Sequence, residues 1–333
     1  MSRKTFQAMV VEETENGHFF RQIASRNVDD LPAGDVLVRV KYSSLNYKDV
    51  LSAIGNRGVT KKYPHTPGID AAGVIEETQS NKFQAGEQVI VTSYDLGMNT
   101  SGGFAEYIRV PSDWVVKKPA NLSLRESMIY GTAGFTAALS VYRLIGHGIS
   151  SDQGEVLVSG ATGGVGGIAV SILSKAGYQV VAINGKIDRE QYLLELGASR
   201  VISIEEASDT SGKPLLKELW AGVIDTVGGE ILATAIKSTD YGGGVTCCGN
   251  VASHELPLNV YPFILRGVTL MGIDSQNCPM SIRTEVWQKI ADEWNIDHLD
   301  ALTTEISLYD LNERIELILQ RKHKGRTIVK LPE

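Results

Sequence analysis

The first 246 residues of this 333-residue chain contain no cysteine, and only Cys247, Cys248 and Cys278 follow. So few thiols build no disulfide framework and match the usage of a reducing compartment. The same scarcity withholds metal ligands. A structural zinc lobe takes about four cysteines, and a catalytic zinc takes Cys and His placed close together. His18, His65, His147, His254, His298 and His323 show no ligand spacing, so no metal is expected. Adjacent Cys247 and Cys248 read as packing residues of a strand. Basic blocks are missing too: 32 Lys and Arg stand against 39 Asp and Glu, a formal net charge of −7, which argues against nucleic acid as the main partner. A membrane span is also lacking. Val156–Ser174 carries no charge but contains five glycines. It divides into a short apolar run, Val156–Val158, and helical spacing through Val165, Ile168, Ala169, Ile172, Leu173 and Ala176. The start, Met1-Ser-Arg-Lys-Thr-Phe6, has no apolar core of signal-peptide length. A soluble, cytoplasmic protein is expected.

What is present is enough apolar sequence, 43%, to bury the cores of about two domains. From Thr5 to Lys118 short β-rich runs (Thr5–Val11, Val36–Tyr42, Ala71–Glu76, Gln88–Thr92, Ala105–Val110 and Trp114–Val116) are separated by Gly and Pro turns, the pattern of a small barrel or sandwich. Beyond a helix from Ser123 to Arg143, broken by Gly131 and Gly134, the rhythm alternates. Strands are predicted at Val156–Val158, Gln179–Ile183, Val201–Ile204, Gly222–Asp225, Gly244–Cys248 and Val268–Ile273. Helices are predicted at Gly164–Ala176, Asp188–Leu196, Pro214–Leu219 and Glu230–Lys237, the second opened by a capping box, Asp188-Arg-Glu-Gln191. Alternation of this kind gives a doubly wound parallel sheet. The tail, with helices and strands near Glu305–Leu308 and Thr327–Leu331, returns to the first domain. The expected division is 1–125 with 276–333, and 126–275.

One motif carries chemistry. Val156–Val158 runs into Ser-Gly160-Ala161-Thr-Gly163-Gly164-Val165-Gly166-Gly167 and then a helix. Small residues at Ala161, Gly163 and Gly166 let the backbone turn tightly against a pyrophosphate, while free N–H groups at the helix start face its charge. In NAD-specific units a carboxylate about 20 residues on holds the ribose 2′-hydroxyl. Here that place holds Asn184, Gly185 and Lys186; a cation suits a 2′-phosphate, so NADP(H) is the expected cofactor. The alternative is that Lys186 is a solvated turn residue and Asp188 merely caps the next helix. Without a metal, polarising a ketone is hard, whereas a carbon–carbon double bond conjugated to a carbonyl delocalises the charge of hydride addition and needs only hydrogen-bond donors.

Further segments extend the picture: Ser43-Ser-Leu-Asn-Tyr-Lys-Asp49, Pro67-Gly-Ile-Asp-Ala-Ala-Gly73, Gly131-Thr-Ala-Gly-Phe-Thr-Ala137, Leu196-Gly-Ala-Ser-Arg200, Tyr261-Pro-Phe-Ile-Leu-Arg266, Gly272-Ile-Asp-Ser275 and Gly325-Arg-Thr-Ile-Val-Lys330. With these the chain resembles, over essentially its whole length, the zinc-independent, quinone-oxidoreductase-like group of the medium-chain dehydrogenase/reductase superfamily, and within it the acrylyl-CoA reductase branch. Zinc-dependent relatives carry Gly-His-Glu where Gly68-Ile69-Asp70 stands here. The resemblance implies a GroES-like catalytic domain, a Rossmann domain, substrate between them, and a homodimer. It also implies that Tyr47, Gly163, Gly164, Val165, Gly166, Gly167, Asn184, Gly185, Lys186, Arg200, Asn250, Ile264 and Ser275 surround NADPH. The branch often has Ser-Gly-Arg where Asn184-Gly185-Lys186 stands, and lysine lacks the planar fork of arginine.

The implied reaction adds hydride to the β-carbon of acrylyl-CoA, giving propionyl-CoA after protonation at the α-carbon. Tyr47 as phenol, Asn46 as amide donor and Asp49 as orienting partner are the catalytic candidates. Against this, Asn46 also reads as a helix cap and Asp49 as a complement to the helix dipole. Arg57, Lys61 and Lys62 form a basic loop that suits coenzyme A phosphates or is simply a solvated face. Quinone reduction in the same site, and a nucleotide-binding protein without turnover, are the competing functions.

Overall fold

In the computed structural model, residues 4–185, 189–297, 299–320 and 322–332 are described. The chain divides into two compact units. One holds the chain to Thr132, Gln276–Ala291 and the residues from 299; the other holds Ala133–Ser275 and Asp292–Asp297. The first division lies beyond the expected boundary at 125, inside a helix.

The first unit opens with an antiparallel ribbon of β1 (Thr5–Glu13) and β2 (Phe19–Asn27), in register from Thr5↔Asn27 to Glu13↔Phe19. Sequence reasoning missed β2, because Arg21, Gln22 and Arg26 interrupt its apolar pattern and only one face is half-buried. Then come β3 (Val36–Leu45), the short helix α1 (Tyr47–Ala53), β4 (Asp70–Thr78), β5 (Gln88–Thr92), β6 (Tyr107–Val110) and β7 (Val115–Lys117). Helix α2 (Leu124–Gly146) starts at a reciprocal cap: Ser123 N–H donates to Glu126 Oε2 (2.8 Å) and Glu126 N–H to Ser123 Oγ (3.1 Å). It breaks at Gly131, whose φ of 49° and ψ of −154° leave the helical region.

The second unit is built on β8 (Glu155–Val158), α3 (Gly164–Lys175), β9 (Gln179–Asn184), α4 (Glu190–Glu195), β10 (Arg200–Ser203), β11 (Trp220–Asp225), α5 (Gly229–Lys237), β12 (Thr239–Cys247), α6 (Tyr261–Arg266) and β13 (Thr269–Gly272). Its six strands run parallel in the order β10-β9-β8-β11-β12-β13, the doubly wound arrangement with its switch point between β8 and β11. All six residues of β11 are buried, as a central strand covered on both faces requires. The uncharged 156–174 stretch is thus a strand, a turn and a helix, and among the described residues no helix is long and apolar enough to cross a membrane. The helix expected at Pro214–Leu219 does not form. That segment instead gives its backbone to the end of α5, Leu216 N–H donating to Lys237 O (3.0 Å) and Leu219 N–H to Ser238 O (2.9 Å), while Arg266 donates to Leu216 O (2.5 Å). Of the expected capping box before α4, Asp188 lies outside the described residues.

Returning to the first unit, α7 (Met280–Ala291), β14 (Thr303–Ser307), α8 (Leu311–Leu319) and β15 (Arg326–Lys330) complete it. The sheet order is β14-β15-β3-β4-β5-β7, with β6 also on β3. A core of Met9, Val36, Val38, Ile75, Val91, Phe104, Ile108 and Val329 packs inside it. A second core, around Leu157, Val181, Val223, Ile236 and Val245, underlies the parallel sheet.

Candidate functional site

In the second unit, parallel strands bring one set of ends to one edge. After β8 the chain turns through Gly160 (φ 59°), and Gly163 N–H donates to Gly160 O (2.9 Å). A Cβ on Gly166 would lie 2.4 Å from Gly160 O and 2.8 Å from Ala161 Cα, so only glycine permits this close turn. Gly163 caps α3 with φ −88° and ψ 174° and, having no side chain, caps none of the first N–H groups. They are left for an anion.

The turn is secured by a group that sequence reasoning missed. Asp225, the last residue of β11, is fully buried; its carboxylate accepts from Ser159 Oγ (2.7 Å) and Gly228 N–H (2.8 Å), and Ser159 Oγ accepts from Thr226 N–H (2.9 Å). Burial pushes the Asp225 carboxyl up, partly offset by these donors. The bond joins the loops on both sides of the switch point. Its signal was the pair Ser159-Gly160 and Asp225-Thr-Val-Gly228 at the ends of neighbouring strands.

The same edge carries Asn184 at the end of β9, exposed Gly185 beyond it, exposed Asn250 after β12, and Ser275 after β13, whose Oγ accepts from Thr136 Oγ1 (2.8 Å). Gly164, Val165 and Gly167 form the first turn of α3, and Ile264 is 67% exposed on α6. Lys186 lies outside the described residues. Arg200 is a correction. It starts β10, at the opposite, amino-terminal edge, and its guanidinium grips Glu155 of β8 with Nε–Oε1 at 2.8 Å and Nη2–Oε2 at 2.7 Å while covering the Trp220 ring. Ligands bind at the carboxyl ends of such strands, so Arg200 is a structural ion-pair residue. The half-buried Cys248 thiol is pushed up to about 12 by its surroundings' desolvation, and Cys247 is raised as well, which makes neither a nucleophile.

In the first unit the polar residues at the head of α1 form one buried cluster. Asp70 Oδ2 accepts from Ser44 Oγ (2.5 Å), Asn46 Nδ2 (2.7 Å) and Thr132 N–H (2.9 Å), and Oδ1 from Thr132 Oγ1 (2.5 Å). Arg326, 4% exposed, donates to Ile129 O (2.8 Å), Ser44 Oγ (2.9 Å) and Asn46 Oδ1 (3.1 Å). Gly131 is the enabling residue: a Cβ there would come within 2.5 Å of Asp70 Oδ2 and of Ser44 Oγ. Its left-handed conformation also turns the Thr132 N–H to Asp70. Asp49, fully buried, accepts from Gly68 N–H (3.1 Å), Ile69 N–H (2.8 Å) and Asn46 N–H (2.8 Å). Burial, and then the charge of Asp70, push its carboxyl up to about 7 against those donors.

Two expected catalytic roles are therefore corrected. The two N–H groups of the Asn46 amide go to Asp70 Oδ2 and Ser44 O (3.3 Å) while Arg326 donates to its oxygen, so no donor is left for substrate. Asp49 is sealed from solvent and braces α1 against the 68–69 turn. Tyr47, the first residue of α1, is 58% exposed. Beside it, Lys48 Nζ donates to Gln276 Oε1 (2.5 Å). Of the basic loop, Arg57 is held by Glu13 (2.5 Å) and lies over the Phe19 and Tyr63 rings, whereas Lys61 and Lys62 are exposed. His65 is buried, its Nε2 bonded to Gly97 O (2.9 Å), and burial lowers its pKa.

Residues 32–120 match the family model described as alcohol dehydrogenase GroES-like domain, and residues 164–292 the one described as zinc-binding dehydrogenase. "Putative quinone oxidoreductase YhfP" of Bacillus subtilis is 47% identical over 327 residues, 98% of this chain and 99% of the relative. Its solved structure with NAD bound covers 98% of this chain and 100% of that one, with a TM-score of 0.96 and 46% identity. Acrylyl-CoA reductase AcuI of Ruegeria pomeroyi is 40% identical over 325 residues, 97% of this chain and 98% of the relative. The yhdH oxidoreductase from Salmonella enterica in complex with NADP superposes with a TM-score of 0.95 and 43% identity, over 98% of this chain and 100% of that one.

Proposed function

Since the chain belongs to the medium-chain dehydrogenase/reductase superfamily, among relatives such as YhfP and AcuI, we propose that it is an NADPH-dependent reductase of carbon–carbon double bonds conjugated to a carbonyl, with acrylyl-CoA as substrate and propionyl-CoA as product. The glycine turn fits a dinucleotide: the space a Gly166 side chain would fill is closed, and α3 starts at a glycine with no side chain to cap its N–H groups. Asn184, where NAD-specific sheets place a carboxylate, supports NADPH over NADH, and Lys186 adds the charge that suits a 2′-phosphate. Asn184, Gly185, Asn250, Ile264 and Ser275 complete the cofactor set in this reading.

The observation that carries the chemistry is the contrast at the head of α1. Asn46, Asp49, Asp70, Ser44 and Arg326 are committed to one another, while the Tyr47 phenol stands exposed. Bound NADPH supplies the hydride that adds at the β-carbon. Tyr47 donates a hydrogen bond to the thioester oxygen as charge develops there, then passes its proton to the α-carbon: the phenol O–H breaks as C–H forms, and solvent restores the proton. Asp49 does not enter this transfer; it holds the backbone.

A homodimer acting in the cytoplasm, with a small-molecule substrate as its partner, completes the proposal. The outer edge of β13 and the exposed Ile264 and Leu265 on α6 support pairing of two cofactor units. The second reading is quinone reduction, favoured by the name of YhfP. An NADPH-oxidation screen over short enoyl-CoAs, free enones and soluble quinones decides between them. A higher kcat/KM for acrylyl-CoA is expected; a much higher value for a quinone replaces the first reading with the second, and no turnover with either leaves a nucleotide-binding protein. Tyr47→Phe is expected to lower kcat about 100-fold with NADPH affinity unchanged, and full turnover by this variant would remove the proton donor.

A further inference from the structure

We propose that Arg326 is a positioning residue for Tyr47, acting through the Asn46 amide at the head of α1; this rests on the proton-donor reading of Tyr47 above. Tyr47 is 58% exposed, so packing does little to fix its direction. That direction is set by the residue before it. Asn46 leaves β3 with φ −121° and ψ 162°, and the chain turns into α1 at the next residue. Its backbone N–H is held by Asp49 Oδ2 (2.8 Å) and its side chain by two opposed charges, Oδ1 facing Arg326 Nη1 (3.1 Å) and Nδ2 facing Asp70 Oδ2 (2.7 Å). A neutral amide between a buried cation and a buried anion has one orientation, because a flip would aim NH2 at the guanidinium and oxygen at the carboxylate.

Arg326 is the member of this arrangement that no shorter-range feature supplies. It arrives on β15, whose neighbour Thr327 pairs with Leu45 at the end of β3, and places its three donor nitrogens on Ile129 O, Ser44 Oγ and Asn46 Oδ1. Lysine cannot reproduce that planar fork. A buried cation and a buried anion bridged by an amide are weak evidence for stability but serve well to select one arrangement among several. Asp49 and Asp70 face Arg326 from α1 and β4, and their charges oppose the lowering of its pKa by burial. The guanidinium therefore works as a fixed fork and not as a proton source.

A double-mutant cycle tests this on the full chain with acrylyl-CoA and NADPH. Arg326→Lys is expected to lower kcat about 10- to 50-fold, as a misplaced reacting group does, with the NADPH dissociation constant from fluorescence titration within about twofold of the parent. Combined with Tyr47→Phe, the same change costs less than about threefold more, because residues acting as one unit are not additive. Asn46→Ala, which cuts the link without removing a buried charge, follows the same pattern and serves if Arg326→Lys fails to fold. An undiminished kcat in both variants, or equal losses with and without the Tyr47 hydroxyl, overturns the positioning role. If Tyr47→Phe alone turns over fully, the proton-donor reading has failed first, and that result is visible before the cycle is read.

Discussion

Two glycines three residues apart in the phosphate turn are expected to fail in different ways when replaced by alanine. A Cβ on Gly166 would meet Gly160 O at 2.4 Å, Gly160 C at 2.7 Å and Ala161 Cα at 2.8 Å, all backbone atoms. Ordinary contact needs about 3.5 Å or more, so the turn must open by about 1 Å. Overpacking of that kind costs about 1–3 kcal/mol, a fall in melting temperature of several degrees in a chain of this size. Gly163 is different. Its φ of −88° suits any residue, and its added Cβ would touch only Gly160 O, at 3.2 Å. Gly163→Ala should therefore melt within about 2 °C of the parent, the shift of less than 1 kcal/mol. Yet its methyl stands on the open side of the turn, where the backbone must approach a diphosphate. Losing one charge-assisted N–H bond to phosphate costs about 1.5–3 kcal/mol, or about 10- to 150-fold in NADPH affinity. Fluorescence titration with NADPH, alongside thermal unfolding of the unliganded protein, reads both quantities. A Gly163→Ala protein that melts normally and binds NADPH as the parent does would refute the assignment of this turn to the cofactor.

Three further outcomes follow from the same geometry. Asp49, pushed up to about 7 by burial and by Asp70, holds a proton in the folded chain at pH values where the unfolded chain has lost it. Its contribution to stability is thus present below the ordinary carboxyl range and lost as pH rises toward about 7; melting temperatures should fall from about pH 4 to about pH 7 and level off above it, and Asp49→Asn should flatten the slope. An unchanged slope in the variant would assign the dependence elsewhere. Arg200→Ala should leave the NADPH dissociation constant within about twofold and cost less than about 1 kcal/mol of stability, since its pair with Glu155 is half-exposed; a tenfold loss of affinity would restore Arg200 to the cofactor site. Gly131→Ala combines a positive-φ backbone (φ 49°, ψ −154°) that favours glycine, about 1–3 kcal/mol, with a Cβ at 2.5 Å from two buried polar atoms. It should yield little folded protein, and normal expression with a parent-like melting curve would contradict the role given to the break in α2.

The order of the parallel sheet was legible because β8, β9 and β11 carry buried runs of Val, Leu, Ile and Ala separated by helical spacing. The glycine turn was legible for the same local reason: Gly160 to Gly167 state their backbone requirement within eight residues. What failed was pattern without local support. Pro214–Leu219 has helical composition, but its N–H groups are taken by Lys237 O and Ser238 O from the end of α5, a partner that only the tertiary fold supplies. β2 is a strand because β1 pairs with it residue for residue, not because its own sequence alternates cleanly.

Roles within the candidate site were harder to read than its membership, and the reason is distance along the chain. Asn46, Tyr47 and Asp49 look equivalent in sequence, three polar residues able to donate or accept. They become different only when Asp70 from β4, itself held by Thr132 at the break in α2, and Arg326 from β15 take up the Asn46 amide, and when the 68–69 turn takes up Asp49. Arg200 went wrong in the opposite direction. Its segment matched, but in a parallel strand the first residue and the last face opposite edges, and the glycine turn lies on the other one. Glu155, at the same edge as Arg200, had marked this in the sequence: it too is the first residue of its strand, and the bidentate pair between them needs no ligand to explain it.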